Sequence, residues 1–177
     1  LARTLNVSPE TLRDLLVTLE QKDYVLRMPD SAIAGDEEYI FKHNLERERL
    51  AALVPPEEAV DRHLVLAEWL EFRLQERNEE QLDLLARHYE LGNRPLRAAR
   101  CYLASADRAR ERYANVKAVD HYRKGLELFG EHDVALRLDA YHHLGDVLTL
   151  LGRGEDALAQ FRSMLALAYR LDLKGKG

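Results

Sequence analysis

The chain has few of the residues that staple, punctuate or anchor a fold. Its 177 residues include one cysteine, Cys101, two methionines, one tryptophan and five prolines. A single thiol excludes an internal disulfide, and no apolar run approaches the roughly 18 residues of a membrane-spanning helix, so a reducing cytoplasm is the expected setting. Blocks of one charge are also missing. The 26 Lys and Arg are interspersed among 31 Asp and Glu, giving a net charge of -5 and a pI near 5.8, and this sets up no field to attract nucleic acid or anionic lipid.

The spacings that carry chemistry are equally scarce. No His-Glu-x-x-His pair occurs among the seven histidines, and the adjacent His142 and His143 point about 100° apart on a helix, so they cannot share a metal. His43 and His63 read as histidines that bond backbone. Cys101 lies on an apolar stripe with no histidine at nearby helical spacing and reads as a buried structural thiol. Gly175-Lys176-Gly177 lacks the earlier Gly and the following Ser or Thr of a phosphate loop, and Gly152-Arg153-Gly154 falls at an inter-helix turn where glycine is wanted in any case. The carboxylate pairs Glu37-Glu38, Glu57-Glu58 and Glu79-Glu80 fall at tips and helix starts, where they favour the helix dipole and stay solvated. No enzymatic activity, metal or cofactor is expected.

What the chain does have is 46% hydrophobic residues, enough for a sizeable core, spaced mostly at the helical period. Leu1 to Leu5 reads as the end of a helix. Ser8 is placed to cap a second helix that opens on Pro9, carries Leu12, Leu15, Leu16, Val17 and Leu19 as its apolar stripe, and ends near Lys22-Asp23. Tyr24 to Met28 and Glu38 to His43 read as a two-stranded hairpin around the turn-rich Pro29 to Asp36.

Helix, turn, helix, hairpin is the order of a winged-helix module that lacks its first helix, over residues 1–45. That order raises one alternative function, a DNA-binding transcriptional regulator with the helix from Pro9 in the major groove. Glu10, Asp14, Glu20, Asp30, Asp36, Glu37 and Glu38 would repel phosphates, which favours a structural role for the module. A charged connector over residues 46–56 ends at Pro55-Pro56. Beyond it everything reads as α-hairpins, at about 57–91, 95–129 and 135–171.

The third hairpin has the most regular pattern. Tyr141, Leu144, Gly145, Leu148, Leu151, Gly152, Ala157 and Phe161 supply large, small, large, turn, small and large residues where a helix–turn–helix repeat needs them. Gly145 and Ala157 are placed for close helix approach. The pattern resembles a tetratricopeptide repeat, with Leu148 where that repeat usually has Tyr, and Ala118 and Tyr122 repeat Ala157 and Phe161 one hairpin earlier. The fold class expected is therefore mainly α: a partial winged-helix module with a small β-hairpin, then a tetratricopeptide-like solenoid.

The junction from Tyr39-Ile40-Phe41-Lys42-His43-Asn44-Leu45 through Arg62-His63 to Ala67-Glu68-Trp69-Leu70-Glu71 resembles the segment that follows the nucleotide-binding core in bacterial signal-transduction ATPases of the STAND type. The run Leu85-Ala86-Arg87-His88-Tyr89-Glu90 and Ala104 to Tyr113 fit the same likeness. In that family a winged helix continues into tetratricopeptide repeats, often alongside kinase, cyclase or transcription-factor domains. The resemblance implies a non-catalytic regulatory segment of a larger ATPase, with the nucleotide site upstream and a protein or peptide effector as partner. The missing initiator Met and the opening on Leu1-Ala2-Arg3 fit a segment of a longer protein.

The expected docking face lies on the first helices of the hairpins. Asp139, His142, Asp146 and Thr149 occupy it in the third hairpin, and Arg100, Asp107, Arg110 and Glu111 in the second. Phe161, Leu165, Ala168 and Leu171 form an apolar stripe on the last helix, expected to pack on further repeats or on another chain.

Overall fold

The structure is a computed structural model that describes residues 7–31, 33, 35–74 and 78–175. The helix end expected at Leu1 to Leu5 lies outside them. The described residues form eight helices and one two-stranded antiparallel sheet, and the chain divides into two compact units, Leu1–Gln75 and Glu76–Gly177.

In the first unit, α1 (Pro9–Gln21) starts as its sequence requires: Pro9 needs no amide partner, and the Ser8 hydroxyl accepts from the Thr11 N–H at 3.1 Å. Its buried stripe is narrower than expected. Leu12, Leu16 and Leu19 are half-buried, but Leu15 and Val17, off that i, i+4, i+7 row, are exposed. The hairpin pairs β1 (Val25–Arg27) with β2 (Tyr39–Phe41), Leu26 opposite Ile40, and Val25 is buried. Arg27 bonds Glu37 at 2.7 Å, and Arg73 bonds Asp36 at 2.5 Å, which fastens the end of α3 (Pro56–Arg73) to the hairpin loop. The charged connector is the short α2 (Asn44–Ala51), with no buried residue.

The second unit is a run of five helices, each packed on the next: α4 (Glu79–Leu91), α5 (Pro95–Glu111), α6 (Asn115–Phe129), α7 (Val134–Leu150) and α8 (Gly154–Gly175). Within this unit α4 packs on α5. So α5 packs against both α4 and α6. Its composition permits this, because Ala98, Ala99, Cys101, Ser105, Ala106 and Ala109 are all buried and small enough to let two neighbours approach. Tyr122, Phe129, Leu144, Val147 and Leu148 fill the spaces beyond.

The tetratricopeptide-like features occur where expected. Ala157 is buried, and a Cβ on Gly145 would lie 2.5 Å from the Phe161 ring. Phe161 therefore packs on the core and not on the outer stripe, because its ring fills the space that Gly145 leaves. The outer face of α8 carries Leu158, Leu165, Tyr169 and Leu171.

Three inter-helix turns share one geometry. After α4, α5 and α7 a single residue is left-handed, Asn93 (φ 55), Tyr113 (φ 60) and Gly152 (φ 73), and the following amide bonds back to Tyr89, Ala109 or Leu148 at 2.8, 2.8 and 2.9 Å. This is the Schellman closure, which favours Gly or Asn at the left-handed position.

Two glycines separate close packing from rim packing. At Gly125 a Cβ would meet Leu103 Cδ2 at 2.6 Å and the Ala99 carbonyl at 3.3 Å, and backbone cannot swing aside. Gly125→Ala should cost about 2 kcal/mol in a denaturant titration. Gly145→Ala, opposed only by the half-buried Phe161 ring, should cost about 1 kcal/mol and be largely restored by Phe161→Leu.

Candidate functional site

Neighbouring helices of the second unit meet mostly through apolar side chains with a few hydrogen bonds between them, whereas helices two apart are joined by charge. From α6, Lys117 Nζ lies 2.5 Å from Glu79 Oε1 and 2.7 Å from Asp83 Oδ2, both on α4. Lys124 of α6 bonds Glu90 of α4 at 2.7 Å, His143 of α7 lies 3.2 Å from Asp107 of α5, and Arg123 of α6 lies 4.0 Å from Asp156 of α8. Each tie reaches past the intervening helix.

The most buried of these clusters was not legible as a site. Glu79, expected as a solvated helix-start carboxylate, is only 7% exposed, while its neighbour Glu80 is exposed. Arg112 Nη1 stands 3.5 Å from its other oxygen. Ser105, fully buried on α5, donates to Asp83 Oδ1, and His121 Nδ1 lies 3.1 Å from the Ser105 hydroxyl and 3.2 Å from Asp83. Asp, His and Ser are thus gathered, but Ser105 donates to the carboxylate, not to the imidazole, and its buried Oγ is closed to a substrate. The arrangement holds three helices together. Its sequence signal is the i, i+4 pair Glu79/Asp83 facing the i, i+4 pair Lys117/His121 across a small residue.

Environment sets the protonation of this cluster. Burial pushes the His121 pKa below its ordinary value against the pull of Asp83, and bonds to Asp83 and Glu79 push Lys117 upward. Tyr102 donates to Glu90 at 2.9 Å, and burial together with that carboxylate pushes its hydroxyl pKa well above the phenol range. Burial alone would raise Glu90, but the bonds from Lys124 and Tyr102 outweigh it and hold the carboxyl below its ordinary value.

The eight residues expected on the docking face divide into two groups. Asp107 is occupied inside the fold: it accepts from the Tyr122 hydroxyl at 2.5 Å, receives His143 at the same oxygen, and has Arg110 at 3.9 Å. Arg100 is exposed but bonds Asp133, at the start of α7, at 3.0 Å. Asp139, His142, Asp146, Thr149 and Glu111 are exposed. His142 pairs with Asp146 at 3.6 Å one turn along α7, and Thr149 donates to the Gly145 carbonyl at 2.9 Å. The two adjacent histidines diverge as helical geometry requires, His143 inward and His142 outward. Cys101 is buried, as expected.

No family model and no curated protein matches the chain. Among solved structures it is similar to one titled "Crystal structure of MamA", at 17% identity and a TM-score of 0.35, covering 72% of this chain and 76% of that one. The chain is mainly α with a tetratricopeptide-like run of helices, as its own packing shows. No helix among the described residues is long and apolar enough to cross a membrane.

Two measurements check the cluster. Lys117→Met leaves two carboxylates facing each other, with the exposed Arg112 beside Glu79 and His121 and Ser105 beside Asp83, and should cost about 2 kcal/mol of unfolding free energy, discounted from a fully buried pair because Lys117 is partly solvated. For His121 the unfolded imidazole takes its proton near 6.5, and the folded one only at lower pH. The unfolded state then binds more protons, so stability is full above about 6.5 and falls as pH drops through it toward the folded value. Melting curves across that window should flatten in His121→Asn; His63, lowered by burial in the first unit, keeps its own contribution of the same sign.

Proposed function

We propose that the chain is a non-catalytic protein-interaction and regulatory segment. In this reading the second unit receives a protein or peptide effector on α7, and the first unit contacts an upstream ATPase core of the STAND type. The observation that carries the reading is the division of polar groups in the second unit. Most charges near the core are consumed in helix-to-helix ties, whereas Asp139, His142 and Asp146 stand exposed in one row of α7, where the ion pair found among the described residues is His142–Asp146 and the His142 ring lies 6.4 Å from that of Phe161. A rigid scaffold with an uncommitted polar row is what a docking surface requires. Location in the cytoplasm and bacterial origin belong to the same proposal, through the family resemblance.

The alternative, duplex binding by the first unit, is opposed by its charge. Residues 1–75 carry nine Lys and Arg against fifteen Asp and Glu, and Arg27 is already paired with Glu37. Salt titration with duplex DNA should show no binding in the micromolar range, well below the affinity of non-specific binders at physiological salt.

A photo-crosslinking residue at position 142 should give a discrete protein adduct in the native host. Asp139→Lys combined with Asp146→Lys should abolish it while leaving stability within about 0.5 kcal/mol, as surface substitutions do. An adduct indifferent to that reversal, or substrate turnover by the purified chain, would contradict the reading.

A further inference from the structure

Of the three Schellman turns between helices of the second unit, two carry residues suited to the left-handed position, Asn93 and Gly152, and the third carries Tyr113; the same closure after α1 carries Asp23. A bulky residue at φ 60 is strained, and backbone strain that the fold does not need points to a use. The fold makes little use of the Tyr113 ring, which is 83% exposed, and beside it Val116 is 68% exposed. The two flank an open depression of about 460 Å³ lined also by Asn115, Lys117, Asp120 and His121.

The polar groups around this depression call for a donor. Asn115 Oδ1 is buried with no hydrogen-bond partner, and Asp120 is exposed and in no ion pair among the described residues. The cations nearby are spent, since Lys117 and Arg112 offset Glu79 and Asp83. One carboxylate is left over beside two apolar side chains.

We propose that the α5–α6 turn is a docking site for a peptide segment presenting an aliphatic side chain next to an Arg or Lys. The aliphatic group packs between Tyr113 and Val116, and the cation lies against the Tyr113 ring and pairs with Asp120. This rests on reading the second unit as a binding scaffold, but it places contact at the end of the helices and not on the α7 row.

The test uses the whole chain, isotope-labelled, with acetyl-Ala-Leu-Arg-Ala-amide and its Glu counterpart acetyl-Ala-Leu-Glu-Ala-amide as probes. The arginine peptide should shift amides within 113–121 with a dissociation constant on the order of 1 mM, and the glutamate peptide should bind at least tenfold more weakly. Tyr113→Asn copies the α4–α5 turn. It should raise the melting temperature by about 3 °C through relief of strain, and abolish the shifts. Loss of stability in that variant would make Tyr113 a structural residue and overturn the proposal. Shifts confined to 139–149 would also overturn it while leaving the scaffold reading intact, and absence of any shift with either peptide would overturn it as well.

Discussion

The second unit depends on one constraint: α5 must carry a helix on each side at close range, and only small side chains permit that. Ala98, Ala99, Ala106 and Ala109 bring α4 and α6 near enough for Lys117 and His121 to reach past α5 to Glu79 and Asp83. Burial of Glu79 would be costly alone, since a desolvated carboxylate without a partner loses several kcal/mol. It is tolerated because Lys117 and Arg112 both approach it. Apolar packing fixes the spacing, and the charged ties then fix the register of alternate helices.

That division of labour shapes what the surface can offer. Side chains that look available in sequence, such as Asp107 or Glu79, are committed to internal bonds, and what remains uncommitted falls in two places. One is the row on α7, where His142 and Asp146 pair only with each other. The other is the α5–α6 turn, where an aromatic ring is held in solvent at a conformational cost. The α7 row stands apart from the ties that hold the helices, whereas the α5–α6 turn borders Lys117 and His121, which make them.

Much of the architecture was readable from residue type and spacing. Ser8-Pro9 announces α1, Pro55-Pro56 ends the connector, and Gly145, Gly152, Ala157 and Phe161 specify the last turn and its packing, because glycine, proline and small residues act locally. The candidate site was less legible. Asp107 looks like a surface charge until Tyr122 and His143, 15 and 36 positions away, are brought to it by tertiary packing. Glu79 looks like a solvated cap for the same reason.

The central claim is that α4, α5 and α6 form one cooperative body with α5 as its least accessible part. Native-state hydrogen exchange tests it directly. Amides from Ala98 to Ala109 should exchange only through global opening of the unit, those of α4 and α6 should exchange at nearly the same free energy, and the outer turns of α8 should open first. If α4 exchanged independently, at a free energy well below that of α5, the ionic ties would not be fixing the stack and the account would fail.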